Sequence, residues 1–116
     1  MADADVKALR AKYVTACALE PWGEAAAVAV LLGFRAIAWQ HRFIRHVNKG
    51  GVDWPALLDE NWSECERFLI ATAAGLWTGR PCGADVCKVP FLDDGFYETW
   101  LAMVTASRTG KVPENG

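Results

Sequence analysis

The 116-residue sequence lacks a long hydrophobic run and an excess of charge of either sign. Its longest apolar run, Ala25 to Phe34, ends at Arg35 and is about half of the ~20 residues that a membrane-spanning helix needs. The formal net charge is −2 and the pI is about 5.6, whereas domains that bind nucleic acid through bulk charge have pI values above about 9. The sequence therefore predicts no membrane span and disfavours binding to nucleic acid through bulk charge.

The N-terminus also lacks the features of a secretory signal, because two acids come early and no apolar run follows a basic start. We therefore expect a cytoplasmic protein with reduced thiols at its four cysteines, which are Cys17, Cys65, Cys82 and Cys87. A hydrophobic content of 53% excludes a disordered chain. The length predicts one domain over residues 1–116.

Segments rich in glycine and proline divide the chain into four pieces with helical periodicity, and no piece alternates as a strand does. We therefore predict an all-α, four-helix bundle-like domain. The predicted helices cover residues 3–19, 24–48, 53–78 and 93–109, a long loop covers 79–92, and 111–116 form a frayed tail.

Capping residues mark several predicted helix ends. Asp53 and Asp93 are typical N-caps, and Gly110 is a typical C-cap. Ser63 and Glu66 have the spacing of a capping box, so the sequence leaves open a break of the third helix near residue 61. It also leaves open whether the fourth helix packs within its own chain or is exchanged with a second copy.

The second predicted helix is apolar over more than half of its circumference, which predicts that other helices cover it on two sides. Gly33 and Gly75 lie inside predicted helices, where each glycine costs about 1 kcal/mol relative to alanine. We expect them to allow a close crossing of the two central helices.

Four cations share the remaining arc of the second helix: Arg35, Arg42, Arg45 and Lys49. The planar fork of arginine matches phosphate oxygens, so these residues are a candidate anion or nucleic-acid site. A turn at 49–52 also brings the acids of the third helix alongside, and these are Asp59, Glu60, Glu64 and Glu66. Both interpretations stay open, and structural pairing of the charges is favoured.

A metal site has only loose support. Cys82 and Cys87 are five residues apart, as are His41 and His46, and zinc accepts two thiolates and two imidazoles. Residues five apart on an intact helix point about 140° away from each other, so the two histidines cannot share one ion there. We predict no cofactor and favour a plain ordered loop around the two cysteines over a zinc site or a disulfide.

The sequence shows no catalytic constellation. It contains no Glu-x-x-His motif, no nucleophile turn and no glycine-rich phosphate loop after a strand. Asp93 and Asp94 are acids at a predicted helix start, where capping explains them. We therefore expect a protein without catalytic activity of its own.

Six tryptophans are many for a chain of this length. Trp54, Trp62 and Trp100 fall on core stripes of predicted helices, whereas the other three fall in a turn or on helix flanks. Tryptophan is enriched where protein surfaces meet. The candidate exposed patch for self-association consists of Trp22, Trp39 and Trp77.

Together these observations predict a small cytoplasmic helical protein that acts through protein–protein contacts as an accessory, adaptor or regulatory subunit, and that forms a homodimer. One alternative is a nucleic-acid-associated regulatory protein that uses the basic stripe of the second helix. The other is a small-molecule binder with a tryptophan-lined pocket.

Overall fold

The structure is a computed structural model and describes residues 3–19, 23–48 and 51–112. Within these ranges all regular secondary structure is helical apart from one two-stranded hairpin, which confirms the predicted all-α class. The elements in chain order are α1 (Asp3–Leu19), α2 (Gly23–Leu32), α3 (Arg35–Ala38), α4 (His41–Ile44), β1 (Val47–Asn48), β2 (Gly51–Val52), α5 (Trp54–Leu58), α6 (Glu64–Thr78), a 3₁₀ helix (Val86–Phe91) and α7 (Asp94–Thr109).

The central element is α2, which contacts α1, α6 and α7. Every residue from 25 to 32 is buried, and Ala26, Ala27 and Ala29 have no exposed surface. A helix that is apolar on all sides must be covered on all sides, and the small alanine side chains let neighbouring helices approach closely. Three helices therefore cover α2, the first part of the segment for which the sequence predicted coverage on two sides.

The prediction of one continuous helix over 24–48 is wrong. The first interruption follows α2 at Gly33 and Phe34, whose amides donate to carbonyls three residues earlier at 3.0 Å. Phe34 is extended, with φ −94° and ψ 99°, and its ring makes an edge contact with Phe96 of α7 at 5.0 Å between centroids. The contact of Phe34 with α7 replaces continuation of the helix, so Gly33 lies at a helix end and not inside a helix.

A second interruption separates α3 from α4. Gln40 is extended, and its Nε2 donates to the Ala36 carbonyl and to Glu66 Oε2, both at 2.7 Å. After α4 the chain forms the antiparallel pair of β1 and β2, in which Val47 lies opposite Val52. The expectation that the chain contains no strand is therefore wrong for this short hairpin.

Tyr13 connects α1 to the hairpin, because its hydroxyl donates to the backbone carbonyl of Asn48 at 2.7 Å. Burial raises the pKa of Tyr13 from 10.0 to about 12, so the folded chain keeps a phenolic proton that the unfolded chain loses. This contribution to stability is complete below pH 10.0 and is lost as the pH rises to about 12. We expect the free energy of unfolding, measured in urea, to fall over this range in the wild type and to fall less in Tyr13→Phe.

The exposed Tyr97 supplies a matched control for this prediction. Tyr97→Phe should retain the full alkaline loss of stability. An equal loss in wild type and Tyr13→Phe would contradict a role for the buried phenol.

The predicted helix over 53–78 is divided at the position that the sequence left open. Asp53 caps α5, and a second helix start follows Ser63. Ser63 Oγ accepts from the Glu66 amide at 3.2 Å, and the Ser63 amide donates to Glu66 Oε1 at 3.0 Å. This capping box satisfies two donors at the start of α6, which explains why the chain begins a new helix there.

α7 begins and ends as predicted. Asp93 accepts from the Phe96 amide at 2.9 Å, and Gly110 caps the C-terminus in the left-handed region with φ 74°. The helix packs against α2 and α6 of the same chain. Val112 still packs against the core, and residues 113–116 of the predicted frayed tail lie outside the described residues.

Two further expectations need correction. The predicted loop 79–92 contains the 3₁₀ helix. Its N-cap is Asp85, whose side chain accepts a hydrogen bond from the Cys87 amide at 3.0 Å. Gly75 does lie inside α6, but a Cβ there would meet the Arg80 carbonyl oxygen at 3.4 Å. That distance is an ordinary van der Waals contact, and among the described residues no atom of another helix lies within 4 Å of this Cβ position, so the predicted role at a close helix crossing has no support for Gly75.

Candidate functional site

The basic and acidic segments lie side by side, as the sequence predicted. Arg45 Nε donates to Glu60 Oε2 at 2.9 Å, and His46 Nε2 lies 2.7 Å from the same oxygen. Arg42 forms an ion pair with Glu66 at 3.4 Å. Two of the four cations of the predicted basic stripe are thus paired with carboxylates of their own chain, which supports the structural interpretation for them.

Arg42 is also held by neutral groups. Its Nε donates to Gln40 Oε1 at 2.7 Å, and its guanidinium lies 4.3 Å from the ring centroid of Trp62. Another of its nitrogens donates to the carbonyl of Asn61. These contacts join α4 to the segment between α5 and α6, so the side chain stabilises the fold at the position where sequence reasoning placed a candidate anion site.

Glu60, Arg45 and His46 form a charge cluster, and Glu60 makes the contribution of this cluster to stability depend on pH. Hydrogen bonds from His46 and Arg45 lower the pKa of Glu60 from 4.5, so the folded chain favours the ionised form. The stabilisation is present above pH 4.5 and is lost as the pH falls through the lowered pKa. We expect Glu60→Gln to be less stable than wild type at neutral pH and to lose less stability on acidification, as measured by urea unfolding at a series of pH values.

Glu64→Gln is the matched control, because Glu64 is exposed and lies 3.5 Å from the exposed Lys88. It should follow the wild-type acid profile. If Glu60→Gln also followed that profile, the cluster would make no contribution to acid sensitivity.

Arg35, unlike Arg42 and Arg45, lies against an aromatic ring, that of Trp39, and beside a cavity. The Arg35 guanidinium lies 3.8 Å from the ring centroid of Trp39, and both side chains are exposed. They line a cavity of about 290 Å³ together with Lys7 and Arg10 of α1. The structure thus joins a residue of the predicted basic stripe to a residue of the predicted tryptophan patch.

The other predicted site residues are dispersed. Trp77 is half-buried, and its ring centroid lies 6.1 Å from those of both Tyr13 and Trp54. Trp22 and Lys49 lie outside the described residues. Trp54 and Trp62 are buried as predicted, and Trp100 is half-buried against Phe68 at 5.9 Å.

Sequence reasoning missed a concentration of exposed apolar side chains near the C-terminus. Residues of the 3₁₀ helix and α7 are 41–81% exposed, namely Val86, Phe91, Tyr97 and Leu101. Tyr97 and Leu101 are four residues apart and share the helix face opposite the buried Met103. Their position off the predicted core stripe was the signal available in the sequence.

Leu101 borders a shallow groove of about 310 Å³ on α7, which we call the α7 groove. Its lining residues are Glu98, Leu101, Ala102, Thr105, Ala106 and Lys111. Leu101 thus lies beside the smaller Ala102, Thr105 and Ala106. Glu98 lies on the N-terminal side of them, and Lys111 follows the C-terminal end of α7. This arrangement can bury apolar surface and pair charges, which is the chemistry of a protein contact.

The three cysteines whose side chains the structure describes add no site of their own, and the side chain of Cys17 lies outside the described part. Cys65, Cys82 and Cys87 are free thiols, and the neighbouring Asp85 raises the pKa of Cys87. Among the described residues no group of three or more histidines, cysteines or acids is placed to hold a metal ion. None of the described helices is both long enough and apolar enough to cross a membrane.

Comparison of the chain with models of protein families, with curated proteins and with solved structures finds no match.

Proposed function

We propose that this chain is a small accessory, adaptor or regulatory protein without catalytic activity of its own, and that it forms a homodimer through the exposed face of α7. Tyr97 and Leu101 on that face, beside the α7 groove, are the observation that supports the proposal. Apolar side chains exposed side by side next to a groove are typical of interaction surfaces. The proposal places the protein in the cytoplasm.

The proposed occupant of the α7 groove is a second copy of the same helix. In a two-fold dimer each contact occurs twice, with the same patch on both subunits. Two α7 helices in antiparallel order bring Leu101 of each subunit towards the small residues of the other. The same order brings Glu98 of one subunit towards Lys111 of the partner subunit, so the charges of the groove complement themselves.

The proposed pairing of Glu98 with Lys111 can be tested by reversing each charge in a separate variant and mixing the two variants. In Glu98→Lys, both contacts of the homodimer place a lysine against a lysine. In Lys111→Glu, both contacts place an acid against an acid. Each variant alone should therefore dimerise more weakly than wild type, whereas a mixture of the two restores opposite charges at both contacts of the heterodimer.

Native mass spectrometry of this mixture, with one variant isotope-labelled, tests the proposal. We expect a heterodimer peak of more than twice the height of either homodimer peak, because random pairing of equal amounts of the two variants gives the three dimers in a 1:2:1 ratio. A statistical mixture of the three dimers would contradict pairing of Glu98 with Lys111, and a monomeric wild type would contradict the dimer itself.

The nucleic-acid alternative has less support, because Arg42 and Arg45 are already paired with Glu66 and Glu60. A dimer contact through α7 leaves both of these ion pairs intact.

A further inference from the structure

The 3₁₀ helix Val86–Phe91 carries a second exposed apolar surface. Among the described residues, Phe91 at 81% and Val86 at 71% are the most exposed of the large apolar side chains. We call these two side chains the 3₁₀ surface. Neither of them lines the α7 groove, so the function of this surface does not depend on the proposed dimer.

The backbone that carries Phe91 is held in place from both ends. The Asp85 carbonyl accepts from the Lys88 amide at 2.9 Å, and the Val89 carbonyl accepts from the Leu92 amide at 3.2 Å. Val89 and Leu92 pack against the core, so the apolar residues of this segment divide into an anchored set and an exposed set. Phe91 is therefore exposed on an ordered backbone. Binding through it avoids the cost of ordering a loop, and aromatic side chains are enriched at the centres of interfaces.

Acidic residues flank the 3₁₀ surface. Residues 85–94 contain three acids, Asp85, Asp93 and Asp94, and one base, Lys88, and all four side chains are exposed. The formal charge of these ten residues, +1 − 3 = −2, equals that of the whole chain. Lys88 lies 3.5 Å from the carboxylate of Glu64, which offsets its charge. Asp93 and Asp94 form no ion pair within the part of the chain that the structure describes.

This charge decides between occupants of the surface. A second copy bound through a two-fold contact would place the same patch on both sides and so bring acids against acids, which is unfavourable. A partner with basic side chains around an apolar face pairs its charges with Asp93 and Asp94 while it buries Phe91. We propose that the 3₁₀ surface docks a basic amphipathic segment of another protein, with Phe91 as the apolar anchor.

Titration of the isotope-labelled protein with a synthetic amphipathic peptide of leucine and lysine, followed by NMR, tests this proposal. One control peptide has glutamate in place of lysine, and the other has serine in place of leucine. We expect the shift changes to concentrate on the amides of residues 85–94, with a Kd at least about tenfold below that of either control, because charge and apolar contacts both contribute. Equal affinity for the glutamate peptide would overturn the role of the acids, and shift changes centred elsewhere would overturn the location.

Two serine variants separate the 3₁₀ surface from the α7 groove. Phe91→Ser should raise the Kd for the leucine–lysine peptide by about tenfold or more. Leu101→Ser, which changes an exposed apolar residue of the α7 groove, should leave this Kd unchanged even where it dissociates the dimer. The two proposals can therefore fail separately. Unchanged melting temperatures confirm that both variants are folded.

Three results with Phe91→Ser would overturn the proposal. The first is an unchanged Kd for the peptide. The second is loss of the wild-type dimer, which would assign the 3₁₀ surface to a second copy of the chain. The third is binding of the wild type, but not of Phe91→Ser, to phosphatidylcholine vesicles without binding of the peptide, which would assign the surface to a lipid bilayer.

Discussion

Replacement of Ala29 by aspartate is expected to abolish cooperative folding of the chain. Ala29 has no exposed surface and lies in α2, which α1, α6 and α7 cover. A buried carboxylate without a partner costs several kcal/mol or forces the group to stay protonated. Since small domains are stable by only about 5–15 kcal/mol, one such substitution removes most or all of the stability.

Ala11→Asp is the matched control, because Ala11 is exposed on α1. Thermal unfolding followed by circular dichroism should show a wild-type transition for Ala11→Asp and no cooperative transition for Ala29→Asp. A wild-type transition for Ala29→Asp would mean that α2 is not the covered centre of the fold.

Replacement of Trp62 by alanine is expected to lower the free energy of unfolding by about 3–5 kcal/mol. The side chain is buried, and its Nε1 donates to the Leu57 carbonyl at 2.8 Å. The Arg42 guanidinium lies over the ring, 4.3 Å from its centroid. Truncation therefore removes apolar contacts, a buried hydrogen bond and the contact with Arg42 together.

Phenylalanine variants separate the hydrogen bond from the packing. The indole nitrogen of the buried Trp54 has no acceptor among the described residues, whereas that of Trp62 has one. Urea unfolding should therefore show a larger loss for Trp62→Phe than for Trp54→Phe, by about 1–2 kcal/mol. Equal losses would mean that the bond to Leu57 adds nothing to stability.

The helix ends that depend on local capping chemistry could be predicted from the sequence. Asp93 and Gly110 bound α7 as expected, and Ser63 with Glu66 marked the start of α6. These signals act within one turn of the chain, so they need no knowledge of the tertiary structure.

The interruptions of the predicted helix 24–48 could not be predicted in the same way. Phe34 is extended because its ring meets Phe96, a residue of α7. Gln40 is extended where its amide meets Glu66 of α6. Both causes are contacts with distant segments, and hydrophobic periodicity carries no information about them.

Among the candidate sites, too, those that depend on local sequence could be predicted, and those that depend on contacts between distant segments could not. The charge pairing of Arg45 with Glu60 followed from a short turn between two segments and could be predicted. The cavity next to Arg35 needed the break after α2, and the exposure of Leu101 needed the side on which α7 packs. The spacing of four residues already made Arg35 and Trp39 neighbours on the predicted helix, whereas sequence reasoning had no means to place Lys7 and Arg10 of α1 beside them.

Sedimentation velocity over a range of protein concentrations tests the proposed dimer most directly. The wild type should sediment as a dimer, Leu101→Ser as a monomer, and Val86→Ser, which changes an exposed apolar residue outside the α7 groove, as a dimer. A wild type that stays monomeric at every concentration, or a dimeric Leu101→Ser, would contradict self-association through α7.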